Sequence, residues 1–284
     1  MDMEARFLPA ARALRTGDVA GLRRLLDEDP ELASSRSSQS HPTLLQCLVL
    51  EGGELPAHTQ RELARLLIEA GSTIDEQLVA CGSNGNVVLA GYLLDRGAPL
   101  DGRPELLRGW TVLEESIYWG FRELSAMLLE RGASVRNLRT AAGLANVREM
   151  RRFFDEQDRL RLPEAGRINW PFGKFPPEQE SNAPQDLLDN ALVYAAMSQS
   201  LKAVRFLLDR GASLASFPLG FHYRGTCLHW AAVRGDAVMC ELLVAMGADP
   251  NARDQTRELT PAQWARHGDH DEVVRLLEAR VRTG

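Results

Sequence analysis

Lysine is nearly missing from this chain of 284 residues: Lys174 and Lys202 are the two, and arginine carries the rest of the positive charge. We read that bias as the mark of a GC-rich, bacterial genome. A basic balance is missing as well. The formal net charge is −6 and acids accompany the scattered arginines, which counts against a surface that tracks phosphates and so against nucleic-acid binding. No window approaches the roughly 18 consecutive apolar residues that a membrane span needs, and no basic stretch leads into an apolar run after Met1. The expected location is cytoplasmic, away from membrane. Cys47, Cys81, Cys227 and Cys240 are far apart and sit in apolar helical patterns, where cysteine acts as a small hydrophobe; buried free thiols are expected.

Catalytic signatures are also lacking. There is no G-x-S-x-G, no H-E-x-x-H, no Walker loop and no glycine-rich dinucleotide fingerprint, so the expectation is a non-enzyme with no catalytic residue and no cofactor. Asp186 with Asp189, and Glu114 with Glu115, are paired carboxylates, but such pairs on amphipathic helices are ordinarily solvated faces. His222, His267 and His270, with Asp269 and Asp271 near the last two, match no zinc spacing; no metal is expected.

What is present is a period. Apolar pairs precede a turn at Leu25-Leu26, Leu66-Leu67, Leu93-Leu94, Leu128-Leu129, Phe153-Phe154, Leu207-Leu208, Leu243-Val244 and Leu276-Leu277. Gly97, Gly132, Gly211 and Gly247 follow four of them, where glycine closes a helix in the left-handed conformation. A second punctuation point lies eight residues before most of the pairs, at Gly17, Gly85, Gly120, Gly235 and Gly268, with Ala145 and Gln199 as substitutes. The unit is helix, tight turn, helix, loop, and neither helix can bury its apolar face without a neighbouring unit.

One stretch makes the pattern specific. Thr226-Cys227-Leu228-His229-Trp230-Ala231-Ala232, followed by Gly235-Asp236 and then Gly247-Ala248-Asp249-Pro250-Asn251, resembles the ankyrin repeat, whose signature includes T-P-L-H-x-A. Thr260-Pro261-Ala262-Gln263-Trp264-Ala265 begins another copy, and weaker ones start at Thr43, Thr111 and Asn190. The resemblance implies an all-α ankyrin-repeat solenoid of about eight repeats, near 4–34, 42–74, 75–101, 109–136, 137–157, 187–215, 225–251 and 259–280. An irregular insertion at 158–186, rich in proline and aromatics, separates the fifth and sixth repeats. One continuous array running through the insertion is preferred over five repeats and three as separate stacks, because both flanks offer unpaired repeat faces.

Function follows from the same resemblance. In the ankyrin family, partners meet finger-loop tips and the positions before the inter-helix turn, on the concave face. Here those positions include Trp110, Tyr118 and Trp119, then Phe221, His222, Tyr223 and Arg224, then Arg234, Arg266 and His267. Tryptophan, tyrosine and arginine are the residues that dominate interface energies. Packing of Trp110, Tyr118 and Trp119 into the core is the competing reading. Trp170, Phe172 and Phe175 of the insertion either project as a recognition loop or tuck in as a plug; the second is favoured, because free aromatics invite aggregation. His229 is expected to bond loop backbone. The leading function is a monomeric protein-interaction module acting as adaptor, inhibitor or stabiliser of a protein partner. The alternative is an enzyme or small-ligand binder with a pocket between the insertion and the fourth to sixth repeats, which a deep apolar cavity with convergent polar groups would favour.

Overall fold

A computed structural model describes residues 3–37, 43–75, 77–102, 110–169 and 180–281. Its described residues are helical, with no β-strand beyond two isolated bridges. Eight antiparallel helix pairs follow one another: α1 (Met3–Thr16) with α2 (Val19–Glu28), α3 (Leu44–Glu51) with α4 (Ala57–Glu69), α5 (Gln77–Asn84) with α6 (Val87–Leu94), α7 (Val112–Trp119) with α8 (Arg122–Glu130), α9 (Leu138–Gly143) with α10 (Val147–Arg151), α11 (Pro184–Met197) with α12 (Leu201–Leu208), α13 (Cys227–Val233) with α14 (Ala237–Ala245), and α15 (Pro261–His267) with α16 (Asp271–Val281). The chain divides into two compact units, Met1–Ser134 and Val135–Gly284. The division falls between the fourth and fifth pairs, and the described flanks of the insertion belong to the second unit.

Helix starts are set by side chains that accept the otherwise unpaired first-turn N–H groups. Thr111 and Glu114 cap α7 reciprocally, with bonds of 3.2 and 2.8 Å, and Thr260 and Gln263 do the same for α15. Most of the inter-helix turns place one residue at positive φ. Gly17, Gly85, Gly120 and Gly235 supply it cheaply, whereas Ala145, Gln199 and Asp269 adopt it despite carrying a Cβ. In the last pair the left-handed residue is Asp269 at φ 57°, while Gly268 stays at −96°, so the punctuation expected at Gly268 is corrected by one position. The apolar register moves with it: Leu277 is fully buried, in the place that Leu243 holds in the pair before.

Within each unit the first helices of successive pairs stack, as do most of the second helices, and their inward residues form the core. A recurring polar tie reinforces the stack. Asn84 at the end of α5 donates to the Val49 carbonyl of α3 at 2.9 Å, Ser198 after α11 donates to the Ala142 carbonyl of α9 at 3.1 Å, and His270 after α15 bonds the Val233 carbonyl of α13 at 3.1 Å. Each tie satisfies a carbonyl at a helix C-terminus that has no partner inside its own helix. All four cysteines are buried, and Cys81, Cys227 and Cys240 are free thiols.

The insertion is pinned at its base. Ile168 and Ser181 exchange backbone hydrogen bonds of 2.7 and 3.2 Å, Arg167 pairs with Glu180, and the buried Arg139 of α9 donates to the Arg167 carbonyl at 3.0 Å. Ile168 is fully buried. Trp170, Phe172 and Phe175 lie outside the described residues.

Candidate functional site

Two loops of the second unit come together ahead of α13 and α15. Arg224 accepts from Gln255 N–H through its carbonyl at 2.9 Å and donates its own N–H to Thr256 Oγ1 at 3.0 Å. The stitch holds two finger tips side by side. The second tip is folded around Asp254, whose carboxylate accepts from the N–H groups of Thr256, Arg257 and Leu259 and from Trp264 Nε1, at 2.6 to 3.0 Å. Burial alone would raise its pKa, but these donors together, Trp264 first, hold it below the ordinary carboxylate value. Asp254 therefore stays ionised and the loop keeps its shape.

Tyr223 stands between the tips. Its ring meets Trp264 edge-on at 5.9 Å, the Arg257 guanidinium covers its face at 4.4 Å, and Arg257 donates to its hydroxyl at 2.6 Å. His222 and Arg224 flank it, and all three are partly exposed. Phe221 points the other way. It is fully buried and packs against Tyr194 at 5.4 Å and Trp230 at 5.0 Å. The expectation that Phe221 faces a partner is therefore corrected: it anchors the finger. His229 lies beneath, accepting the Thr226 N–H at Nδ1 (3.1 Å), which leaves Nε2 to donate to the Leu259 carbonyl at 3.0 Å. Desolvation pushes its pKa down to about 4, so it is a neutral structural link between neighbouring loops.

Arg234, Arg266 and His267 lie at the C-terminal ends of α13 and α15. Arg234 is half-buried, Arg266 is exposed and pairs with Glu278, and His267 is exposed. The one-residue shift at Asp269 puts His267, rather than Arg266, in the place that Val233 holds in the preceding pair.

In the first unit the aromatic cluster divides. Trp110 is 0% and Tyr118 3% exposed, stacked edge-to-face at 5.9 Å; both are core, which corrects their placement on a contact surface. Trp119 alone reaches solvent, at 38% exposure, with its ring edge-on to Tyr118 at 5.1 Å. Its Nε1 donates to Glu115 at 3.2 Å, and Ser83 donates to the same carboxylate oxygen at 3.1 Å. Glu115 is fully buried on α7, and its other oxygen has no hydrogen-bond partner. Desolvation raises its pKa to about 8, against the two donors that lower it and with Glu114 adding repulsion. The reading of Glu114 and Glu115 as a solvated face is thus corrected, as is that of Asp189, which is buried and bonded to Gln185 and Ser213 N–H. A groove of about 610 Å³ runs past the turns of this unit, bordered by Glu51, Glu54, Asn84, Asn86 and Glu123.

Residues 177–254 match the family model "Ankyrin repeats (3 copies)". The chain carries ankyrin repeats. It is 38% identical over 90 residues to Ankyrin repeat and SOCS box protein 6 of Mus musculus, across 31% of this chain and 21% of that one. It is 43% identical over 75 residues to Zygote-specific protein 3 of Chlamydomonas reinhardtii, across 26% and 19%. The matches thus span about a fifth of those relatives' own lengths. Among solved structures, the human ASB11 ankyrin repeat domain aligns over 95% of this chain and 97% of its own, at 17% identity and a TM-score of 0.42.

Ankyrin repeats are generally protein-interaction modules. The cavity beside the insertion base, among Asn137, Arg139, Ile168 and Asn190, measures about 10 Å³. That is room for one water molecule, far below the several hundred Å³ a small-molecule site needs. No helix among the described residues is long and apolar enough to cross a membrane. The 221–224 finger was legible from the repeat motif, whereas the 253–257 finger was not singled out, although Asp254 stands six residues ahead of Thr260 where a capped turn would start.

Proposed function

We propose that this protein binds another protein through its second unit, as adaptor, inhibitor or stabiliser. The contact surface comprises the finger tips at His222, Tyr223, Arg224 and Arg257, with Arg234, Arg266 and His267 at the far ends of α13 and α15. In the first unit Trp119 is the partner-facing residue of its cluster. Tyr223 carries the reading. It is a partly exposed aromatic held by Trp264 on one side and Arg257 on the other, so presenting it to a partner costs little side-chain entropy, and tyrosine and arginine are enriched where binding energy concentrates.

The test is affinity purification from the source organism with the wild-type chain and with Tyr223→Ala, each first shown by circular dichroism to be helical. A stoichiometric protein partner that the variant loses is the expected outcome. Absence of any stoichiometric protein, or equal recovery by both chains, would overturn the proposal.

A further inference from the structure

Building on the interaction function proposed above, we infer that the paired fingers of the second unit select an acidic segment of the partner, a stretch of peptide whose carboxylates dock on Arg224, Arg253 and Arg257. The first observation is the company these arginines keep. In the same unit Arg152, Arg159, Arg167, Arg210, Arg266 and Arg280 each face a carboxylate. The finger arginines do not. Arg224 donates one terminal nitrogen to the Phe217 carbonyl at 3.1 Å, Arg253 donates to the Glu258 carbonyl at 2.8 Å, and Arg257 donates to the Tyr223 hydroxyl. Their donors go to neutral acceptors, and the Nε of Arg224 is buried with no acceptor. A guanidinium has five N–H donors and keeps its charge, so each retains unmet capacity for an anion.

The second observation is that the local carboxylates do not neutralise them. Asp254 is occupied by three N–H donors of its own loop and by Trp264 Nε1 of α15. Asp249 accepts from Asn251 N–H. Glu258 is exposed, and no ion pair joins it to these arginines. The backbone stitch between Arg224 and residues 255–256 holds the two tips that carry these arginines side by side, an arrangement suited to two or more carboxylates along one extended segment. Fork-to-carboxylate pairing is the strongest ordinary hydrogen-bonded contact arginine makes. Against a net charge of −6 for the chain, a local positive patch also steers an acidic partner to this place. A nucleic acid is the less favoured anion, since tracking a phosphate backbone calls for a longer basic stripe.

The experiment uses the full chain and a fluorescein-labelled synthetic peptide of alternating glutamate and glycine, read by fluorescence anisotropy. Saturable binding is expected, weakening as salt rises, with none for the same peptide carrying glutamine. Arg224→Gln with Arg257→Gln should weaken binding about tenfold or more, while Arg280→Gln, which removes a paired arginine on α16, should leave it unchanged. If the double variant melts early, Arg253→Gln is read in its place, with weaker binding again expected. Equal affinity for the glutamine peptide, wild-type affinity in the arginine variants, or tighter binding of a single-stranded oligothymidylate of matched charge would each overturn the inference. A partner recovered in the purification above that still binds the double variant would sink this inference alone and leave the interaction function standing.

Discussion

Glu115 is where a single residue should make the whole protein sensitive to pH. Its folded pKa of about 8 lies above the ordinary carboxylate value, mainly through desolvation, so between roughly pH 4.5 and 8 the folded state holds a proton that the unfolded state releases. Stability then falls as pH rises through that window and levels off above it. Glu115→Gln removes the titration while keeping an acceptor for Ser83 and Trp119. Urea denaturation at pH 5 and pH 8 should show the variant gaining on wild type by on the order of 3 kcal/mol between the two; an equal gap at both would refute the assignment. The tryptophans give a second test. Trp110→Ala should cost about 3 to 5 kcal/mol, because the ring is wholly buried, whereas Trp119→Ala should cost far less and act on partner affinity. Thermal melts of the two variants distinguish them. None of this division could be read from the chain itself, because Trp110, Tyr118 and Trp119 all occupy positions that the repeat leaves variable and burial separates them only once the neighbouring pair is packed on.

Helix ends carry the next level. His229 and Gln263 occupy the same place in successive first helices and make the same return bond to the N-cap backbone. One of them titrates. With its folded pKa pushed down to about 4, His229 stays neutral in the fold while the unfolded chain takes up a proton below pH 6.5, so its contribution to stability is lost as pH falls from 6.5 toward 4. His229→Gln should flatten that acid limb, measured by melting temperature against pH, and a limb as steep as in wild type would contradict the role. The turns offer a test of opposite sign. Ala145 sits at φ 56°, a conformation that costs a Cβ-bearing residue about 1 kcal/mol, so Ala145→Gly should raise stability by about that amount in urea denaturation. Helix pairing, most turn positions and thiol burial were legible, since apolar spacing and glycine placement are local signals. The last turn was misread by one residue because Gly268 looks like the punctuation that Asp269 provides.

At the scale of the molecule, the chain divides into two compact units, each with its own packed helices. Inside Val135–Gly284 each first helix has neighbours, from α9 through α11 and α13 to α15, so residues 135–284 expressed alone should give a helical spectrum and a cooperative melt; a random-coil spectrum would show that the unit depends on the rest. The unit boundary left no mark in composition, whereas the insertion did, through its prolines and aromatics. The ties from Asn84, Ser198 and His270 to the carbonyls of the preceding first helix have a directional consequence. Each of these pairs completes the one before it, so the stack within a unit is sealed there from the C-terminal side, as a row of roof tiles is kept dry by the tile laid over each joint. Cutting the chain after α14 removes His270 and leaves the Val233 carbonyl open to whatever donor replaces it, solvent or the next module in a fusion. A graft placed there should therefore begin with a donor side chain at the end of its own first helix.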